Sequence, residues 1–129
     1  MTSGDRLSRV RQEIRQAQDA RERLEKTVLN IGVVLQGSLI KRYLGTAAER
    51  RKAPAYYLSR AEGGRTRLVY IPRDRVQPVR RATQAWRHFK SVLRQWEKVN
   101  DRLGHLLRQV GRLRQERGDG TRSDTAGTS

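Results

Sequence analysis

The 129-residue sequence contains no cysteine and only 13 acidic side chains, against 29 Lys and Arg. The lack of cysteine excludes disulfide bonds and thiolate metal ligands, and it is typical of a reducing compartment. The longest apolar run, LNIGVVLQGSLI, is interrupted by polar side chains and is too short to cross a bilayer. The first ten residues also lack the apolar stretch of a signal peptide. We therefore expect a cytoplasmic protein that makes no membrane contact.

The sequence also lacks the motifs of common catalytic and metal sites. It has no phosphate-binding loop, no dinucleotide-binding fingerprint, no nucleophile elbow and no zinc-binding helix motif. The two histidines, His88 and His105, lie too far apart on one predicted helix to share a metal ion. Most acidic residues have basic neighbours at helical spacing, which is typical of ion pairs rather than of general acids or bases. We therefore expect a protein that is not an enzyme and that binds no metal or other cofactor.

Positive charge is the strongest feature that is present. The formal net charge is +16, and residues 37–81 alone carry 12 basic and 3 acidic side chains. Such self-repulsion in a small fold favours a polyanionic partner. Of the 29 cationic residues, 24 are Arg, whose guanidinium group binds phosphate in a bidentate manner and hydrogen-bonds guanine edges. A G+C-rich coding sequence would give the same bias towards Arg.

Apolar side chains recur three and four residues apart in two long segments, which is the spacing of a helix that buries one face. The first segment predicts a helix over 5–35, with Gly32 as its weak point. The second predicts a helix over 75–117 that holds both tryptophans and the single phenylalanine. Its main apolar stripe consists of Val79, Ala82, Trp86, Phe89, Leu93, Trp96, Asn100, Leu103, Leu107 and Val110. A second row beside it consists of Val99, Leu106 and Leu113.

Between the two helical segments the sequence predicts three strands. GSLIKRYL gives the first strand, and a hairpin centred on Gly63-Gly64 gives the other two. This turn places Arg60 opposite Arg67, and two like charges in that position destabilise a hairpin. We interpret the pair as a binding site for backbone phosphates, with Arg65 extending it; the alternative is that both side chains simply extend into water.

These patterns predict an α+β fold: two long heptad-patterned helices form an antiparallel hairpin, and a small three-stranded antiparallel β module is inserted between them. The predicted divisions are a coiled-coil helix at 1–35, the basic β module at 36–73, a second coiled-coil helix at 74–117 and a disordered tail at 118–129.

The β module resembles a small family of bacterial and archaeal proteins of unknown function. The resemblance covers about residues 36–110 and is most specific in the segments GSL, YYLS and GGRTRLVYIP. Members of that family often lie near transposases and other mobile-element genes, so the resemblance implies a mobile-element or DNA context. Many members carry a cysteine-rich, metal-binding loop between the first two strands. This chain has LGTAAERRKAPA there, so the resemblance implies that arginines have replaced the metal site.

We therefore expect a non-enzymatic, nucleic-acid-binding protein of the nucleoid, with DNA as the favoured ligand in a mobile-element or recombination context. The second hypothesis is a coiled-coil interaction subunit of a transposase, recombinase or other nucleoprotein enzyme, and the third is an RNA-binding protein. The wide apolar stripe of the second helix also leaves surface for a homodimer. The candidate nucleic-acid-binding residues are Lys41, Arg42, Arg50, Arg51, Lys52, Tyr57, Arg60, Arg65, Arg67, Tyr70, Arg73, Arg75, Arg80 and Arg81.

Overall fold

The structure is a computed structural model that describes residues 3–43 and 54–118. Its elements, in chain order, are helix α1 (Ser3–Asn30), strands β1 (Ser38–Arg42), β2 (Ala55–Glu62) and β3 (Arg65–Ile71), a short 3-10 helix (Arg73–Arg75) and helix α2 (Val76–Gly118). The described residues divide into two compact units. We call them the helical unit, up to Thr27 and from Leu93 onward, and the sheet unit, from Val28 to Val92.

The helical unit consists of α1 up to Thr27 packed against α2 from Leu93 onward. Glu13 forms an ion pair with Arg102 at 3.7 Å, and the Glu25 carboxylate accepts a hydrogen bond from the Trp96 indole at 3.0 Å. The earlier residue of α1 contacts the later residue of α2, and the later residue of α1 contacts the earlier one, so the two segments run antiparallel. The buried core of the unit consists of Leu7, Val10, Ala17, Leu103, Leu106 and Leu113.

Two polar residues interrupt the apolar stripes of this unit, and they bind each other. Arg21 donates a hydrogen bond to the Asn100 side-chain oxygen at 3.3 Å, and both residues are partly buried. A polar group inside a helix interface is costly unless it has a partner. The pairing therefore explains why the heptad pattern tolerates Arg21 and Asn100.

The predicted apolar stripe of the second helix is partly wrong. Leu93 and Leu107, which were expected to face the core, are exposed, Leu107 to 53%. Leu106 and Leu113, from the row taken as secondary, are buried together with Leu103 of the predicted main stripe, so both rows supply the core of the helical unit.

The sheet unit contains a three-stranded antiparallel sheet in the order β1-β2-β3. The predicted hairpin register is confirmed: Leu58 pairs with Val69, and Arg60 pairs with Arg67. One face of the sheet packs on the first turns of α2 through Leu58, Ile71 and Val76, with Leu35, Leu39, Tyr56 and Val79 around them. Val69, which pairs with Leu58 on the same face, is 37% exposed.

Helix α1 ends at Asn30, before the predicted end at residue 35. Gly32 and two β-branched valines follow, and these residues disfavour a helix. The segment after the helix instead lies against α2, where the Leu35 N–H donates to the Ala82 carbonyl at 3.0 Å. Next to that contact, Thr83 is fully buried and its hydroxyl donates to the Arg80 carbonyl at 3.0 Å.

The predicted architecture, an antiparallel hairpin of two long helices with a sheet inserted, is therefore wrong. The molecule is α+β, but α2 up to Val92 belongs to the sheet unit, and only its remainder packs with α1. Trp86 and Phe89, expected in the helix pair, stack on each other in the sheet unit with ring centroids 5.5 Å apart. Heptad spacing shows that a helix has an apolar stripe but not whether a helix or a sheet covers that stripe.

The end of α2 at Gly118 lies one residue inside the predicted tail, and residues 119–129 lie outside the described part of the chain. Neither α1 nor α2 has the combination of length and apolar content that a bilayer span needs.

Candidate functional site

The register of the sheet separates its side chains into a covered face and an open face. Residues paired across strands share a face, and successive residues alternate between faces. Leu39, Leu58 and Ile71 belong to the covered face, which packs on α2. The open face carries, from one end to the other, Arg42 and Ala55, then Ile40, Tyr57 and Tyr70, then Ser38, Ser59 and Leu68, then Ala61 and Thr66.

The centre of the open face is a row of apolar and aromatic side chains. Ile40, Tyr57 and Tyr70 are direct cross-strand partners, and Leu68 lies in the next row. The two tyrosine rings meet edge to face, with centroids 5.8 Å apart and an interplanar angle of 70°. Tyr70 is 59% exposed, and Tyr57 is half-buried. The sequence-predicted pair Tyr57 and Tyr70 is therefore brought together on an accessible surface.

The hairpin beyond the sheet core carries the paired arginines. Arg60 and Arg67 are direct partners, as the Gly63-Gly64 turn predicts. In the strand register Glu62 lies opposite Arg65, but its carboxylate forms an ion pair with Arg67 at 3.4 Å. Both groups are largely exposed, so the pair is weak and exchangeable. Among the described residues, no carboxylate lies within ion-pair distance of Arg60.

Arg60 also lies beside α2, in a groove that sequence reasoning missed. Strand β1 pairs with β2 only as far as Ser59, so the edge of β2 is open from Arg60 onward. There an open groove of about 290 Å³ is lined by Gln36, Gly37, Ser38, Ser59, Arg60, Ala61, Thr66, Trp86, Arg87 and Lys90. We call this the basic groove, because three of its described lining residues are cations and none of them is acidic.

The aromatic side of the basic groove is built by α2. Trp86 stacks on Phe89 at 5.5 Å, and the Lys90 ammonium lies 5.7 Å from the Trp86 ring centroid. Arg87 is exposed. The groove therefore offers an indole ring, hydroxyl groups and three positive charges in one place, a combination that suits a phosphate joined to a planar base.

Two further predicted cations are held near aromatic rings. The Arg80 guanidinium lies 5.9 Å from the Tyr56 ring centroid, and the Lys41 ammonium lies 5.2 Å from that of Tyr43. A hydrogen bond with the Tyr43 side chain raises the pKa of Lys41 above its ordinary value.

The structure does not bring the remaining predicted site residues into the basic groove. Arg65 and Arg67 lie on β3, Arg42 is on the open face, Arg73 and Arg75 lie in the 3-10 helix, and Arg81 is exposed on α2. Arg50, Arg51 and Lys52 lie outside the described residues. The residues that the sequence prediction missed are Trp86, Arg87 and Lys90, because they join Arg60 only through the tertiary fold.

Metal binding has no candidate among the described side chains, those of residues 4–43 and 54–115, where no cluster of three or more His, Asp or Glu forms. The expectation that the protein binds no metal stays a prediction.

Comparison with known proteins gives no relative. No family model matches the chain, and no curated protein or solved structure matches it. The resemblance to the mobile-element family therefore stays a prediction, and the case for a function rests on the site itself.

Proposed function

We propose that the chain is a non-enzymatic nucleic-acid-binding protein, with DNA in a mobile-element or recombination context as its favoured ligand, and that the sheet unit is the binding unit. The observation that carries the proposal is the basic groove, where Arg60, Arg87 and Lys90 line one surface and none of the described lining residues is acidic.

The charge distribution supports the same unit. Residues 28–92 contain 14 basic and 3 acidic side chains, whereas the rest of the sequence contains 15 basic and 10 acidic ones. Cations that are not neutralised by nearby carboxylates can take up phosphates without first breaking ion pairs. In the helical unit, by contrast, Arg102 and Lys26 already have carboxylate partners. Nucleoid association would follow from such binding.

The binding of phosphates is tested by titrating labelled duplex DNA, single-stranded DNA and duplex RNA with the purified protein at several salt concentrations. We expect submicromolar binding at low salt and a steep linear fall of log K with log salt concentration. DNA binding that exceeds RNA binding supports the favoured ligand, and the reverse order would make the protein an RNA-binding protein.

Charge reversal locates the binding surface. Arg87→Glu in the basic groove should lower affinity by at least tenfold, because it removes one phosphate contact and adds a repulsive one. The matched control is Arg112→Glu on the helical part of α2, which changes the net charge equally and is also exposed. Equal losses for the two variants would show that the sheet unit is not the contact surface.

A second candidate function, an interaction subunit of a transposase or other nucleoprotein enzyme, is favoured by one observation. Leu93 and Leu107 lie on α2 among charged residues, yet both are exposed. If the chain is such a subunit, we expect these two leucines, which lie about 21 Å apart along α2, to contact the partner. A protein of this kind would bind DNA weakly alone and strongly only with its partner, whereas the proposed DNA-binding protein holds DNA by itself.

A further inference from the structure

The open face of the sheet is unusual in combining accessible aromatic rings with the absence of negative charge. A solvated face of an antiparallel sheet normally carries polar side chains that alternate with the buried ones. Here the central row holds Ile40, Tyr57 and Tyr70, and Leu68 follows it. Tyr70 and Leu68 are among the large apolar side chains that the described fold leaves exposed.

The residues around this apolar row indicate which class of ligand would bind there. The other described residues of the face are small or hydroxyl-bearing, apart from Arg42, and none is acidic. The unit that carries the face has 14 basic side chains against 3 acidic ones. A basic protein surface would be repelled by this unit, and an uncharged one would gain nothing from its charge, whereas a polyanion with planar apolar groups matches both the charge and the rings.

Unpaired bases fit the face, and paired bases do not. Base pairs inside a duplex already stack on their neighbours and present only their edges in the grooves. Exposed tyrosine rings instead offer a stacking partner to a base that has left its stack, and this contact does not depend on the identity of the base. The cations of the unit then bind the phosphates that join successive bases.

We propose that the open face, centred on Tyr57 and Tyr70, is a stacking platform for the bases of a single-stranded nucleic acid. The proposal rests on the nucleic-acid-binding function proposed above and names its ligand class. The protein therefore prefers unpaired segments, such as a single strand or an opened end, to a fully paired duplex of the same sequence.

The experiment uses a short oligonucleotide that carries the fluorescent base 2-aminopurine, titrated with the full chain. We expect quenching of 2-aminopurine on binding, because stacking on an aromatic ring quenches its emission. Tyr70→Thr, which keeps a residue that favours strands, should reduce the quenching and lower single-strand affinity by about 5- to 100-fold. The matched control is Leu107→Thr, which removes an exposed apolar side chain from α2 in the helical unit, so affinity and quenching should hardly change.

The outcomes separate this inference from the function on which it rests. If Tyr70→Thr binds and quenches like the wild type while Arg87→Glu loses affinity, the platform is overturned and nucleic-acid binding stands. Tighter binding to duplex than to single strand would likewise overturn the platform. If no nucleic acid binds, both proposals fail. A wild-type dimer that dissociates on Tyr70→Thr, as seen by light scattering, would show that a second copy covers the face and would also overturn the inference.

Discussion

Gly37 has a backbone conformation that other residues rarely adopt. Its φ is +136°, and a Cβ atom there would lie 2.7 Å from the Ser59 carbonyl oxygen, closer than real contacts allow. The glycine lets the chain enter β1 beside β2, and it lines the basic groove. The GSL segment is thus explained by backbone geometry.

Gly37→Ala should destabilise the protein by about 1–3 kcal/mol, the typical cost of a strained backbone position. Gly32→Ala is the control, because Gly32 has open space around it and no left-handed φ. It should be neutral or stabilise by about 0.4–1 kcal/mol through a less flexible unfolded chain. Urea unfolding of the two variants measures both effects, and similar costs would contradict the proposed role of Gly37.

Glu62 is the carboxylate that forms an ion pair with Arg67, and on our proposal it competes with a phosphate for that side chain. Glu62→Gln removes the exposed 3.4 Å ion pair, so we expect stability to fall by less than about 1 kcal/mol. Nucleic-acid affinity should rise several-fold, because Arg67 is freed next to Arg60. Thermal melts and anisotropy titrations measure the two changes, and an unchanged affinity would mean that Arg67 does not contact the ligand.

Helix α2 shows what periodicity can and cannot predict about an element. The existence and the near-correct length of the helix follow from its apolar spacing, whereas the choice of stripe does not. Leu106 and Leu107 are chemically identical neighbours, yet Leu106 is 3% exposed and Leu107 is 53% exposed. Only the packing partner distinguishes them, and a single sequence does not contain that partner's position.

The pair of leucines tests the corrected stripe directly. Leu106→Ala should destabilise the protein by about 2–5 kcal/mol, the usual cost of truncating a buried leucine. Leu107→Ala should change the free energy of unfolding by less than about 0.5 kcal/mol. Chemical unfolding of both variants under the same conditions measures the two free energies. A larger loss of stability for Leu107→Ala than for Leu106→Ala would contradict the packing.

The hairpin was the element that the sequence predicted best. Gly63-Gly64 fixes the turn, and the turn fixes every cross-strand pair, so Arg60 opposite Arg67 follows from local chemistry alone. The basic groove is the opposite case. Arg60 meets Arg87 and Lys90 only because α2 passes the open edge of β2, and no local pattern signals that meeting.

For the molecule as a whole, the positive charge is divided unevenly between the two units. The helical unit has a leucine-rich core and ion-paired surface groups, features that stabilise a fold. The sheet unit has a small core, an open aromatic face and a basic groove, features that suit contact with a polyanion. The central claim is therefore that phosphates bind to the sheet unit.

The salt dependence of binding tests this claim most directly. The variant with Arg60, Arg87 and Lys90 all replaced by Ala is compared with one in which Arg94, Arg108 and Arg112 are replaced, so the net charge is equal in both. The slope of log K against log salt concentration should fall by about 2 to 3 for the first variant, since each lost phosphate contact removes about 0.7–0.9. It should stay near the wild-type value for the second. Equal slopes for the two variants, or an unchanged slope for the first, would contradict the account.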